Sequence, residues 1–171
     1  MSIFFQLNGQ LTPLGRKVTG YLAGAYALAI SFMCFLPQHF LPNPKGFSTP
    51  GIVQVGRFYF LPTPFNSLVN GHEVHSLKGI FYIFLQNISN VFLLFPLVLA
   101  LIFLFKKWQS TKTVVLYSFC ISLGIECTQL LLDGLMDAGR VFEIDDLWTN
   151  TLGGLLAYLF YQQIQKIIKK T

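Results

Sequence analysis

Six of the chain's seven acidic residues, Glu126, Asp133, Asp137, Glu143, Asp145 and Asp146, lie in one stretch whose only base is Arg140. Three chemistries suit such a cluster. Asp145 or Asp146 can cap a helix that follows, where a carboxylate satisfies free N–H groups and opposes the helix dipole. Glu143, Asp145 and Asp146 offer the oxygen ligands a hard divalent cation takes, although their spacing is not that of an EF-hand loop. Glu126, set in apolar sequence, suits acid–base work as one of a pair of carboxyls. No strong nucleophile accompanies it, although Ser122 lies one turn away. A separate "HEVH", His72 to His75, lacks the spacing of a zinc-protease helix. Its histidines read better as loop residues, and no metal or other cofactor is assigned to the chain.

The elements that must position these groups are apolar. Hydrophobic residues make up 53% of the 171, and charged residues 11%, against roughly 25% charged in soluble domains. Such a chain cannot cover a water-facing surface, so it is expected to sit in a membrane. Four runs are long enough to cross about 30 Å of hydrocarbon as helices: residues 18–37, 86–105, 113–132 and 147–165. They lack the alternation of barrel strands. The fold expected is therefore an all-α membrane protein, a single domain over residues 1–171 forming a bundle of about four transmembrane helices. The first run is longer than the apolar core of a signal peptide and is expected to stay as a span.

Of the 12 basic residues, Arg16, Lys17, Lys106, Lys107, Lys112, Lys166, Lys169 and Lys170 fall at alternate ends of these runs. By the positive-inside bias, this face is cytoplasmic and both termini lie inside. The net charge of +5 thus reads as a topology signal, not a basic stripe for nucleic acid. Residues 38–84 form a long first outer loop, Pro/Gly-rich and then aromatic. Its prolines should break regular structure, leaving interfacial segments, and residues 76–87 form an interfacial helix or an extended start to the second span. Cys34, Cys120 and Cys127 all fall in apolar runs and read as buried small residues without a disulfide framework.

Counting 1.5 Å per residue from the basic ends places Glu126 roughly 21 Å into its span, and Asn90 and Asn150 roughly 24 Å into theirs. Glu126 and Gln129 are three apart, as are Asn87 and Asn90, and Asn150 and Gly153, so each pair shares a helix face. A carboxylate at such depth costs several kcal/mol unless paired or protonated. The faces are expected to meet, with Arg140 or Arg57 as partner for Glu126. The alternative is that the amides glue helices together and that Gly153 and Gly154 only permit close packing.

These motifs resemble the VanZ-like family of small bacterial membrane proteins. The match is carried by Glu126 and Gln129 in "SLGIECTQ", by Arg140, Asp145 and Asp146 in "GRVFEIDDL", and by Asn150, Thr151, Gly153 and Gly154 in "NTLGG". Upstream, "QNISNVFLLFPL" is similar to the family's Asn-rich start of a span. "GRFYFLPTPFNSL", with Arg57, Pro64 and Phe65, is similar to its loop segment, although Tyr59 or Phe60 stands where the family usually has Asn. The resemblance implies a bacterial plasma membrane protein that reduces susceptibility to teicoplanin-type lipoglycopeptides. The expected site is an outer-leaflet polar pocket of Asn87, Asn90, Glu126, Gln129, Arg140, Asp145, Asp146, Asn150, Thr151, Gly153 and Gly154. Arg57, Pro64 and Phe65 would contribute from the loop. The expected partners are membrane lipids and either the antibiotic or a lipid-linked wall precursor. The alternative is an intramembrane enzyme acting on a lipid or precursor head group.

Overall fold

A computed structural model describes residues 3–6, 8–40, 49–71, 74 and 77–168. The "HEVH" residues His72, Glu73 and His75 lie outside these described residues, as do Lys45, Lys169 and Lys170. The chain is mostly helical. Its long helices are α1 (Pro13–Phe35), α3 (Leu77–Leu104), α4 (Thr111–Met136) and α5 (Ile144–Ile168), with a short α2 (Asn66–Val69) before α3.

Three of these helices, α1, α3 and α4, are long and apolar enough to cross a membrane. Each starts or continues beyond the expected run, because polar termini extend a helix without interrupting its hydrogen bonding. Thr12 caps α1 through Gly15 N–H, with Pro13 at the first helical position, where a missing N–H costs nothing. Ser110 caps α4 through Thr113 N–H. Helix α3 absorbs both the interfacial segment and the second span, running through Pro96 in its interior.

Helix α5 has 25 residues but carries polar residues at both ends. It packs most extensively against α3 and then α4, while α1 lies against α3. A helix shielded by its neighbours has less need of an apolar surface. Leu94, Val98, Ile102, Val114, Ile125 and Ala157 form the core where these helices meet. Large apolar side chains such as Leu22, Phe32, Phe81, Leu131 and Leu135 point outward, as expected of helices facing lipid.

The fold is not purely helical. A small three-stranded sheet, β1 (Val53–Val55), β2 (Phe58–Leu61) and β3 (Val141–Glu143), corrects the expectation that the first loop lacks regular structure. β1 and β2 form an antiparallel hairpin across a two-residue turn, Gly56–Arg57, with φ +63° at the glycine. A positive φ at the first turn residue suits the right-handed twist of a tight hairpin. The strand ends before Pro62, which cannot donate to a ladder. β3 then adds parallel to β2, pairing Tyr59 with Val141 and Leu61 with Glu143. The sheet thus joins the α1–α3 and α4–α5 connections, which sequence alone treats as separate.

Candidate functional site

Helix α4 presents Ser118, Ser122, Glu126, Gln129 and Asp133 along one face, all buried. Steps of three and four keep these groups in line along the helix. The stripe meets α5, where Gly153 and Gly154 allow the approach. A Cβ at Gly153 would lie 1.8 Å from the Val91 carbonyl oxygen, and one at Gly154 would lie 2.0 Å from Ser118 Oγ. The two glycines therefore serve two interfaces, one against α3 and one against α4.

A cavity of about 480 Å³ opens between the end of α1, the first half of α3, α4, the residues around β3 and the start of α5. Six of the expected site residues line it: Asn90, Glu126, Gln129, Arg140, Asp146 and Asn150. Glu126 is 1% exposed. Its Oε2 accepts the Glu143 backbone N–H at 2.9 Å, and its carboxyl shares the cavity with that of Asp146. Asp146 accepts a hydrogen bond from Asn90 Nδ2. Asn150 Nδ2 donates to Ser122 Oγ at 2.9 Å, and Ser122 donates on to the Asp146 carbonyl at 3.0 Å. Asn150 Oδ1, by contrast, is buried without a partner. An acceptor left open in a polar cavity is available to a ligand donor or to water.

Arg140 does not pair with Glu126, contrary to expectation. Its guanidinium donates to Met33 O at 2.7 Å and to Leu36 O at 2.7 and 3.2 Å. Gln129 Nε2 donates to Cys34 O at 2.9 Å. The final carbonyls of α1 have no intrahelical donors, and a cation suits the negative end of the helix dipole. Backbone demand at α1 thus outcompetes the carboxyl for Arg140, although the arginine still borders the cavity. Its own N–H is held by Asp133 Oδ1 at 2.9 Å. Nor does Arg57 reach Glu126: it makes a long, exposed ion pair of 4.0 Å with Asp137.

Glu143 was expected only as a cation ligand, but it is a full wall of this cavity. Gln86 Nε2 approaches both its carboxylate oxygens, at 3.3 and 3.4 Å. Burial, then the charges of Asp146 and Asp145, push the Glu143 carboxyl up to about 8. Burial likewise lowers the guanidinium of Arg140, opposed by the nearby Cys34, Asp133 and Glu126. Gln86 is a residue the sequence reading missed, though it precedes Asn90 by four and so shares its helix face.

The remaining expected residues sit elsewhere. Asp145 and Asp146 both stand in the first turn of α5, where acids suit the helix dipole, but the Asp145 side chain is turned to the preceding loop and Trp148. Its carboxylate accepts from Phe65 N at 2.6 Å, Asn66 N at 2.9 Å and Trp148 Nε1 at 2.9 Å. Asp146 is turned to Asn90 and the cavity it shares with Glu126. Phe65 adopts a left-handed φ of 55°, and its ring packs on Trp148 with centroids 5.1 Å apart. Pro64 is exposed. Asn87 donates to Ser67 Oγ at 2.7 Å and borders a separate, mainly apolar cavity of about 380 Å³ with Ile80, Ile83 and Phe84. Thr151 bonds back to Leu147 O at 2.6 Å and faces Thr111, Val115 and Phe119, away from the carboxyls. Among the described residues no three His, Cys, Asp or Glu side chains are arranged to hold a metal ion. Of the cysteines, Cys34 is buried, whereas Cys120 and Cys127 are exposed.

A family model described as VanZ/LLP1 matches residues 23–168. No curated protein and no solved structure matches the chain.

Proposed function

The chain belongs to the VanZ-like family, with all six cavity residues above inside the matched range, and from that premise we propose that it is a bacterial plasma membrane protein that lowers susceptibility to teicoplanin-type lipoglycopeptides. In this reading α5 is a fourth span, both termini face the cytoplasm, and the sheet and the carboxyl-lined cavity face outward. The observation that carries the reading is the cavity itself, where the Glu126 and Asp146 carboxyls, an open amide oxygen and Arg140 lie together at the ends of apolar helices. Lipoglycopeptides anchor in the outer leaflet, which brings them to the same depth.

Size narrows the ligand. Small-molecule sites run to roughly 300–1,000 Å³, so about 480 Å³ suits one sugar or head group and not a whole glycopeptide. The cavity would hold a sugar of the antibiotic or the head group of a lipid-linked wall precursor. The role is binding, which lowers the effective local concentration of the antibiotic or alters access to its target. The test is resistance in cells carrying Glu126→Gln, Asp146→Asn or Asn150→Ala at wild-type abundance. Loss of teicoplanin resistance is expected. Wild-type resistance in all three would remove this site from the function.

One observation favours a second reading. The Glu126 and Asp146 carboxyls line one cavity, as a general acid and base would, which suits an intramembrane enzyme acting on a lipid or precursor head group. That reading requires the mass-spectrometric profile of envelope lipids to change on deletion. An unchanged profile leaves binding alone.

A further inference from the structure

A second polar cavity, of about 240 Å³, lies at the end of the helices opposite the sheet. Arg16 and Lys106 both line it, together with Asn8, Gln10, Gln109 and Tyr161. It is a built feature. Gln165 Nε2 donates to Gly9 O at 2.7 Å and holds the turn around residue 9 over the end of α5. Gly9 has φ +76°, and a Cβ there would lie 2.2 Å from Gln165 Oε1. Gln109 Nε2 is fixed on Ile102 O at 3.1 Å. The Phe103 and Tyr161 rings, 5.0 Å apart, give an apolar flank.

Among the described residues no acidic side chain lines this cavity. The Asp and Glu side chains lie between residues 73 and 146, and the described ones belong to α4, β3, the connection between them and the start of α5. Among the described residues the one ion pair is Arg57–Asp137. Arg16 and Lys106 are exposed, so water screens their mutual repulsion, and an anion between them would be attracted by both. A guanidinium beside an ammonium is the donor pair suited to phosphate, one offering a planar fork and the other a point charge.

We propose that this cavity binds a phosphate group through Arg16 and Lys106. Two sources carry that group: the head group of an anionic phospholipid, whose chains would continue onto the exposed apolar helix faces, and free inorganic phosphate. The site is separate from the carboxyl-lined cavity, so either assignment can fail without the other.

The experiment uses the purified full chain in detergent micelles, with phosphatidylglycerol, net-neutral phosphatidylcholine or inorganic phosphate added singly and in competition. Thermal unfolding and native mass spectrometry are the readouts. Retention of phosphatidylglycerol with a rise in Tm identifies the lipid as source. Stabilisation by inorganic phosphate that the lipid does not displace identifies the free ion. The double variant Arg16→Gln/Lys106→Gln is expected to weaken binding roughly 30-fold, at about fivefold per cation near a membrane surface. Should the double variant not fold, Lys106→Gln alone is expected to give about a fivefold loss. Lys107 and Lys112 are exposed at the same end, as Arg16 and Lys106 are, but lie outside this cavity, so Lys107→Gln/Lys112→Gln should stay within about twofold of wild type on the same scale. Equal losses in the two double variants, or no binding of either phosphate source, would overturn the proposal.

Discussion

The Glu126 carboxylate accepts the backbone N–H of Glu143 at 2.9 Å, linking the middle of α4 to strand β3. Glu143 in turn pairs with Leu61 of β2, so one buried side chain ties a helix to both the α1–α3 and the α4–α5 connections. Glu126 therefore has a structural and a chemical role, and the two are separable by substitution.

Glu126→Gln keeps an oxygen for the Glu143 N–H but removes the acid. Its thermal stability in detergent should remain near wild type while resistance falls. Glu126→Ala strands a buried donor and opens a void, so it should cost about 1–3 kcal/mol for the donor alone. Equal stability of the Gln and Ala forms would show that the 2.9 Å bond contributes little.

Gly153→Ala and Gly154→Ala should each destabilise the bundle by about 3 kcal/mol, because the new methyl group would meet Val91 O or Ser118 Oγ inside contact distance. Gly20→Ala and Gly24→Ala are the matched comparison. A Cβ at either position meets nothing within 4 Å, and alanine is the better helix former. Melting curves of the four variants should split into two pairs.

Glu143 makes stability depend on pH. Its carboxyl, raised to about 8 from its ordinary value of 4.5, binds its proton more tightly in the folded state. Stability therefore falls as pH rises through the window from about 4.5 to about 8, and levels off above it. Glu143→Gln cannot ionise. Its Tm should vary less across this window and exceed wild type at pH 9. A wild-type Tm that rises from pH 5 to pH 8 would give the opposite sign and exclude this origin.

Asp145→Asn leaves one acceptor oxygen where the carboxylate serves three N–H donors. Hydrogen exchange at the Phe65 and Asn66 amides should quicken. Trp148, one of two tryptophans, should change its fluorescence as the Phe65 ring loosens. Unaltered exchange at both amides would mean that the loop is held by packing instead.

Much of the framework was readable before folding. Hydropathy marks α1, α3 and α4, because a long apolar run can satisfy its backbone in lipid only as a helix. The three- and four-residue spacing also placed Glu126 and Gln129 on one face, and depth counting brought Asn90 and Asn150 level with them. The sheet was not readable. β1, β2 and β3 have three, four and three residues, too short for a periodicity signal, and β3 comes from a distant part of the chain.

The sequence by itself determined which segments are apolar, where the basic residues lie between them, and that one carboxyl enters a span. These depend on local composition and helical period. Tertiary structure decided the partners. Arg140 sits in the same motif as the acids, yet it binds the carbonyl end of α1. Asp145 and Asp146 are adjacent, yet one holds a loop and the other faces Glu126. Hydrogen-bond partners are settled by competition among donors and acceptors that only folding brings together, and sequence spacing does not reveal which unsatisfied carbonyl or N–H will be nearest.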